Sequence, residues 1–174
     1  MLPKSFFMRD TCLVARDLLG KTLVRKYNGT TVRAIITETE AYKGFDDKAS
    51  HASRGKTARN EIMFGEAGKI YVYLVYGMYY CLNIVTEQKK FPAAVLIRGA
   101  VLEDSGKAVD GPGRLTRALG VDKSLNAKTL GYSTGLWIEE GIEVPKSRIV
   151  AGPRVGVHYA GAWAKKPWRF SATL

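Results

Sequence analysis

The sequence predicts an α+β fold. It reads as a single domain, residues 1–174, built on a curved, mostly antiparallel β-sheet with flanking short helices and a protruding β-hairpin. Three observations carry this expectation. Strand-like runs follow one another through short turn signals, Asn28-Gly29 and Tyr76-Gly77-Met78, where a parallel sheet would need repeated crossover helices. Helical patterns are confined to brief stretches, 10–19 and 110–120. Apolar residues make up 46% of the chain and charged residues 25%, close to the globular average, which excludes wholesale disorder and leaves enough apolar surface for one core.

Taken in order, DTCLVARDLL (10–19) predicts a short amphipathic helix, with Asp10 or Thr11 as N-cap and Gly20 just past its end. KTLVRKY (21–27) alternates and reaches Asn28-Gly29, the strongest short hairpin signal. The return run TTVRAIITETEAY places Val32, Ala34, Ile36, Glu38, Glu40 and Tyr42 on one face by period two. Residues 43–68 are polar and broken by glycine, which predicts a long functional loop with one helical turn. KIYVYLVYG and MYYCLNIVT then form two β-rich runs, with Tyr71, Tyr73 and Val75 on one face of the first and Tyr76 at the tip between them. AAVLIRGAVL (93–102) is a further buried strand, interrupted by Arg98. DGPGRLTRALG (110–120) predicts a helix with Pro112 near its start and Gly120 past its end. GLWIEEG reads as a short strand, and the Val155-Val157 alternation predicts a last strand in the basic, aromatic tail.

Charge narrows the function. There are 27 Lys and Arg against 16 Asp and Glu, a net charge of +11, which favours a polyanionic partner: nucleic acid first, an anionic membrane surface second. After Glu143 come Lys146, Arg148, Arg154, Lys165, Lys166 and Arg169, with no acid among them. Cys12 and Cys81 are too few for a disulfide framework and lack CxxC spacing; Cys81, in an apolar run, is expected to be a buried thiol. With His51 and His158 the only histidines, no metal site is expected. No apolar run reaches a membrane span and no signal-peptide core opens the chain, so it reads as intracellular.

Candidate chemistry gathers between residues 35 and 83. Glu40 ends an apolar strand beside an irregular basic loop, where rigid backbone holds a carboxylate usefully for catalysis. Tyr71, Tyr73, Tyr76, Tyr79 and Tyr80 lie close together in the sequence, and His51, Arg54, Lys56, Arg59 and Asn60 lie between them and Glu40. An acid, flat rings and cations suit a site that stacks a base and acts on it beside phosphates. Arg98, inside an apolar run, requires either a structural acid or a partner such as Glu40. A tyrosine at a hairpin tip either folds back on its own hairpin or serves as a wedge in a base stack.

Taken together, TETEAY, ASHA, RGKTARN, MFG, YVYLVYGMYYCLN, LIRG, DGPGRL and RVGVHYAGAWAKKPWRF resemble the alkyladenine (3-methyladenine) DNA glycosylase family, in the family's order and over nearly the whole chain. The resemblance implies a monofunctional purine glycosylase of base-excision repair, here a single glycosylase domain. Such an enzyme flips alkylated or deaminated purines (3-methyladenine, 7-methylguanine, hypoxanthine, ethenoadenine) out of the duplex and leaves an abasic site. It implies Glu40 as general base for the attacking water and Arg98 as its companion. Tyr42, His51 and Tyr73 would hold the flipped base, Asn83 would reject the amino group of normal guanine, and Tyr76 would fill the vacated gap. No cofactor and no metal are implied. The implied partner is double-stranded DNA containing damaged purines, bound by a monomer with no membrane involvement. The absence of the N-terminal extension of larger members fits a compact bacterial form, cytoplasmic and nucleoid-associated; a eukaryotic counterpart would be nuclear. Tyr79 departs from the histidine frequent at that place in bacterial members, which leaves base preference open.

Physical chemistry agrees with this map. A purine stacked in a duplex exposes no C1′ to a carboxylate-bound water until it is rotated out, at a cost of a few kcal/mol. A ring sandwich favours cationic, electron-poor bases by stacking and cation–π attraction. Two other classes stay open on residues alone: a base-stacking damage sensor without chemistry, and a basic structural protein such as a ribosomal component. Glu40 with Arg98 discriminates against the sensor, and tyrosines clustered around a single acid discriminate against the structural protein.

Overall fold

In the computed structural model, which describes residues 1–174, nine strands hydrogen-bond into one sheet, and all their pairings are antiparallel. The strands are β1 (Thr22–Tyr27), β2 (Thr30–Lys43), β3 (Ile70–Val75), β4 (Tyr79–Val85), β5 (Ala93–Leu102), β6 (Ala108–Asp110), β7 (Leu136–Glu139), β8 (Ile149–Gly152) and β9 (Arg169–Ala172). The main path runs β3-β4-β5-β2-β1-β7; β6 pairs with β5, and β9 pairs with both β2 and β8. The helices α1 (Lys4–Phe7), α2 (Thr11–Asp17) and α3 (Pro112–Ala118) are short, as an α+β fold of this kind requires, and none is long and apolar enough to cross a membrane.

Local chemistry accounts for most boundaries. Asp10 caps α2, its side chain accepting from the N–H groups of Cys12 and Leu13. Pro112 opens α3 at a position whose N–H would have no helical partner, and Gly120, at φ 58°, stands past its end. Asn28 and Gly29 both take positive φ (47° and 77°), the conformation of a two-residue hairpin between β1 and β2. The β3–β4 hairpin turns through Tyr76 and Gly77, likewise at positive φ (52° and 69°). The core packs Val14 and Ala15 of α2, Leu115 of α3, and Leu18 and Leu119 at the C-caps of these helices against Ile36, Ile70, Leu82, Val95 and Ile97 of the sheet.

The expected single face on β2 is corrected. Ala34 and Ile36 enter the core, but so does Ala41, an odd number of residues further on. The register against β5 shifts between Ile36 and Glu38 and again between Glu38 and Thr39, leaving Thr37 and Arg98 as the extra residues. Each bulge reverses the parity of its strand. Thr39 now faces α2, its hydroxyl donating to the Ala15 carbonyl at 2.7 Å, while Glu38, Glu40 and Tyr42 point away from the core that Ile36 occupies. Two further expectations change in detail. The 43–68 loop carries two 3₁₀ turns, His51–Arg54 and Glu61–Phe64, instead of one helical turn. Val155 and Val157 lie outside any strand, because Pro153 lacks the donor a ladder needs and Gly156 (φ 74°) turns the chain; the closing strands are β8 and β9.

Candidate active site

The bulges place a carboxylate and a guanidinium side by side on the face opposite the core. Glu40 is fully buried, and both of its oxygens are engaged. The Tyr42 hydroxyl donates to Oε2 at 2.6 Å and the Val155 N–H donates to Oε1 at 2.8 Å. Arg98 Nε stands 3.5 Å from Oε1 and donates more closely, at 3.1 Å, to Glu38. Burial holds the Glu40 carboxyl above the ordinary glutamate range; the Tyr42 hydroxyl, the Val155 N–H and the Arg98 charge oppose that shift, and the neighbouring Glu38 adds to it.

A cleft of about 630 Å³ opens over this pair, within the range usual for small-molecule sites. Glu40, Arg98, Tyr42, His51, Tyr73, Asn83 and Tyr76, the residues singled out in the sequence, all line it. His51 presents an edge to Tyr73, with ring centroids 4.6 Å apart, and its Nδ1 lies 2.9 Å from the Tyr71 hydroxyl. Desolvation by this packing, with the Arg59 charge next in size, holds the imidazole below the ordinary histidine range. Tyr73 packs against Tyr71 with centroids 5.2 Å apart, and the Arg59 guanidinium covers it at 5.7 Å. Asn83 is buried; its Nδ2 donates to the carbonyls of Tyr71 (3.2 Å) and Cys81 (3.3 Å), an amide orientation fixed by those two acceptors. Cys81 is the buried thiol its apolar run predicts. Tyr76, 86% exposed, projects from the hairpin tip at the cleft mouth.

Other features of the site escape sequence reasoning. Arg154 is buried and pairs bidentately with buried Asp47 (2.6 and 2.8 Å), while its guanidinium stacks on Tyr42 at 4.7 Å. That pair ties the 43–50 segment to the segment that delivers the Val155 N–H to Glu40. Asn60, a residue of the basic loop, donates to the carbonyls of His51 (2.8 Å) and Gly55 (2.9 Å) and so fixes the turn that carries the imidazole. An acid beside a cation, roofed by rings and closed to water below, is equipped to hold a flat heterocycle and to deprotonate a water next to it.

Comparison with known proteins decides the family. A model described as methylpurine-DNA glycosylase matches residues 5–173. The chain belongs to the methylpurine-DNA glycosylase family. It is therefore a DNA glycosylase, an N-glycosyl hydrolase of base-excision repair. A relative from Methanocella arvoryzae is 50% identical, the match covering 98% of this chain and 91% of the relative. One from Anaeromyxobacter dehalogenans is 48% identical over 98% of this chain and 82% of its own length, and one from Rickettsia felis is 46% identical over 99% and 93%. All three are named, provisionally, 3-methyladenine DNA glycosylase.

Proposed function

We propose that this glycosylase removes alkylated and deaminated purines, 3-methyladenine foremost, from double-stranded DNA with a water activated by Glu40. The observation that carries the reading is a fully buried carboxylate, held by Tyr42 and the Val155 N–H, at the base of a cleft lined by Tyr42, His51 and Tyr73. The names of the relatives support the substrate class. 7-Methylguanine, hypoxanthine and ethenoadenine are the further substrates that the family resemblance implies.

The steps follow from the residues. Tyr76 enters the stack as the damaged nucleotide leaves it, and the purine slides between Tyr42 and the His51–Tyr73 pair. Such a slot rewards a base carrying positive charge. Burial and the Arg59 charge favour the neutral imidazole of His51, which lessens its repulsion of that charge. Asn83, which lines the cleft, would clash with the amino group of normal guanine. Water attacks C1′, its proton passes to Glu40, and the C1′–N bond breaks with its electron pair leaving on the purine. The carboxylate also stabilises the positive charge that develops on the sugar. No lysine is required, so the product is an intact strand bearing an abasic site.

Base release from a duplex containing one hypoxanthine, followed by alkali, tests the reading, with Glu40→Gln run beside the unaltered protein. Scission only after alkali, and only with the unaltered protein, is the expected result, with duplex binding retained by the variant. Base release undiminished in Glu40→Gln would remove Glu40 from the chemistry. Tight binding without release by either protein would favour a damage sensor.

A further inference from the structure

Glu38 lies on the cleft face of β2 as a direct consequence of the bulge, and it packs against the bare backbone of Gly99, where an added Cβ would come within 3.2 Å of the Glu38 Cβ. Its Oε1 accepts from two cations, Arg98 Nε at 3.1 Å and Arg169 Nη1 at 3.0 Å, and its side chain is only 17% exposed. Each cation leads back to Glu40 by a separate route. Arg98 Nε is also 3.5 Å from Glu40 Oε1. Arg169, paired with Glu40 in the β2–β9 register, donates from Nε to the Pro153 carbonyl at 2.9 Å, two residues before the Val155 N–H that holds Glu40. The terminal nitrogens of Arg98 make no hydrogen bond to the protein, and the residue lines the cleft.

We propose that Glu38 is a positioning residue for base excision: by clamping Arg98 and Arg169 it keeps the Arg98 guanidinium shared between two carboxylates, terminal nitrogens free at the cleft, and prevents it from closing onto Glu40. This rests on Glu40 being the general base. Without the Glu38 charge, Arg98 has one carboxylate left to satisfy. It would swing into a direct ion pair with Glu40, withdrawing its free nitrogens from the cleft and making the carboxylate a weaker base. The Arg169 anchor on Pro153 would loosen at the same time.

The effect has a sign. The charged and titratable groups around Glu40 are Glu38 and Tyr42 on its own strand, Arg98 on β5, Tyr73 on β3 and Cys81 on β4. Arg169 on β9 acts through Glu38, and Arg154 stacks on Tyr42. Of these, Glu38 raises the Glu40 carboxyl and Arg98 lowers it. Neutralising Glu38 removes the first influence and strengthens the second, so Glu40 ionises at lower pH.

The test is the pH profile of single-turnover hypoxanthine release for Glu38→Gln, Glu38→Asp, Arg169→Lys and the Glu40→Gln control, with duplex binding measured for each. In Glu38→Gln the plateau rate is expected to fall about tenfold or more and the acid limb to move to lower pH, with binding unchanged. Glu38→Asp should recover part of both, and Arg169→Lys should move the limb the same way by less. A merely structural role would lower thermal stability without moving the limb. An acid limb unmoved or moved to higher pH in Glu38→Gln overturns the proposal. Should that variant not fold, unaltered profiles in both Glu38→Asp and Arg169→Lys overturn it equally. Undiminished release by Glu40→Gln would refute the general base itself, a result read independently of any Glu38 variant.

Discussion

Burial strips water from around Glu40, and the Tyr42 hydroxyl, the Val155 N–H and Arg98 replace that hydration only in part, so the carboxyl sits above the ordinary glutamate range. Two consequences follow at the scale of this residue. With Glu40 as the proposed base, excision requires its ionised form, so the acid limb of the pH profile should lie above the ordinary glutamate pKa and not at it. Stability runs the other way. The folded state binds the Glu40 proton more tightly than the unfolded chain does, so the contribution of this group falls as pH rises from the unfolded pKa through the folded one. Once ionised, the carboxylate thus weakens the fold. Glu40→Gln, neutral and of the same shape, is expected to melt higher, by about 2–4 °C for each ~1 kcal/mol of desolvation removed in a domain of this size. Calorimetry at neutral pH checks this; a variant that melts lower would mean that the hydrogen bonds from Tyr42 and Val155 outweigh the desolvation.

At the scale of elements, the β3–β4 hairpin combines a strained backbone with an exposed ring. Tyr76 holds a left-handed φ of 52°, uncommon for a residue with a large side chain, while 86% of its surface faces solvent. The backbone conformation is repaid by closing the turn, the Met78 N–H donating to the Val75 carbonyl at 3.1 Å, but nothing in the folded protein holds the ring, as expected of a wedge waiting for a base stack. Tyr76→Ala should therefore leave the melting temperature within the range of ordinary surface substitutions, about 0.5 kcal/mol, while lowering the amplitude of a stopped-flow base-flipping signal and slowing excision about tenfold. An unchanged flipping signal would end the wedge assignment. This hairpin was legible in the sequence because its signal is local: Tyr76-Gly77 marks the turn, as Asn28-Gly29 marks the turn before β2 and Asp10 marks the start of α2. The candidate site residues that line the cleft were legible because TETEAY, YVYLVYGMYYCLN and LIRG bring them in as a set. What could not be read was non-local or lay in the backbone. The bulges at Thr37 and Arg98 exist only in the pairing of β2 with β5, and period-two counting runs straight through them. Asp47 and Arg154 find each other across 107 residues, and a backbone N–H such as that of Val155 has no signature in residue identity.

For the whole molecule, the surplus of +11 has to be placed. Cations matched by interior acids do not count toward it: Arg154 is balanced by Asp47, and Arg98 and Arg169 by Glu38 and Glu40. The remainder includes exposed cations on two segments that also supply cleft residues, Arg54, Lys56 and Arg59 on the one that carries His51, and Lys165 and Lys166 beyond Val155–Tyr159 on the other. A duplex laid across the mouth, with Tyr76 entering its stack, would put phosphates over both. Counterion release then sets the salt dependence: each phosphate neutralised contributes about −0.9 to the slope of log K against log salt. If four or more of these cations meet phosphates, the slope for an undamaged duplex is about −3.6 or steeper. Affinity should then fall roughly 100-fold between about 50 and 200 mM salt. Fluorescence anisotropy on an undamaged duplex measures this directly. Charge reversal at Lys165 and Lys166 together should flatten the slope by about 2 while leaving the pH profile of excision where it was, because neither touches Glu40 or its partners. A slope near zero in the unaltered protein would mean that these cations meet no backbone, and that the rings and the Glu40 site hold the damaged nucleotide without phosphate contacts.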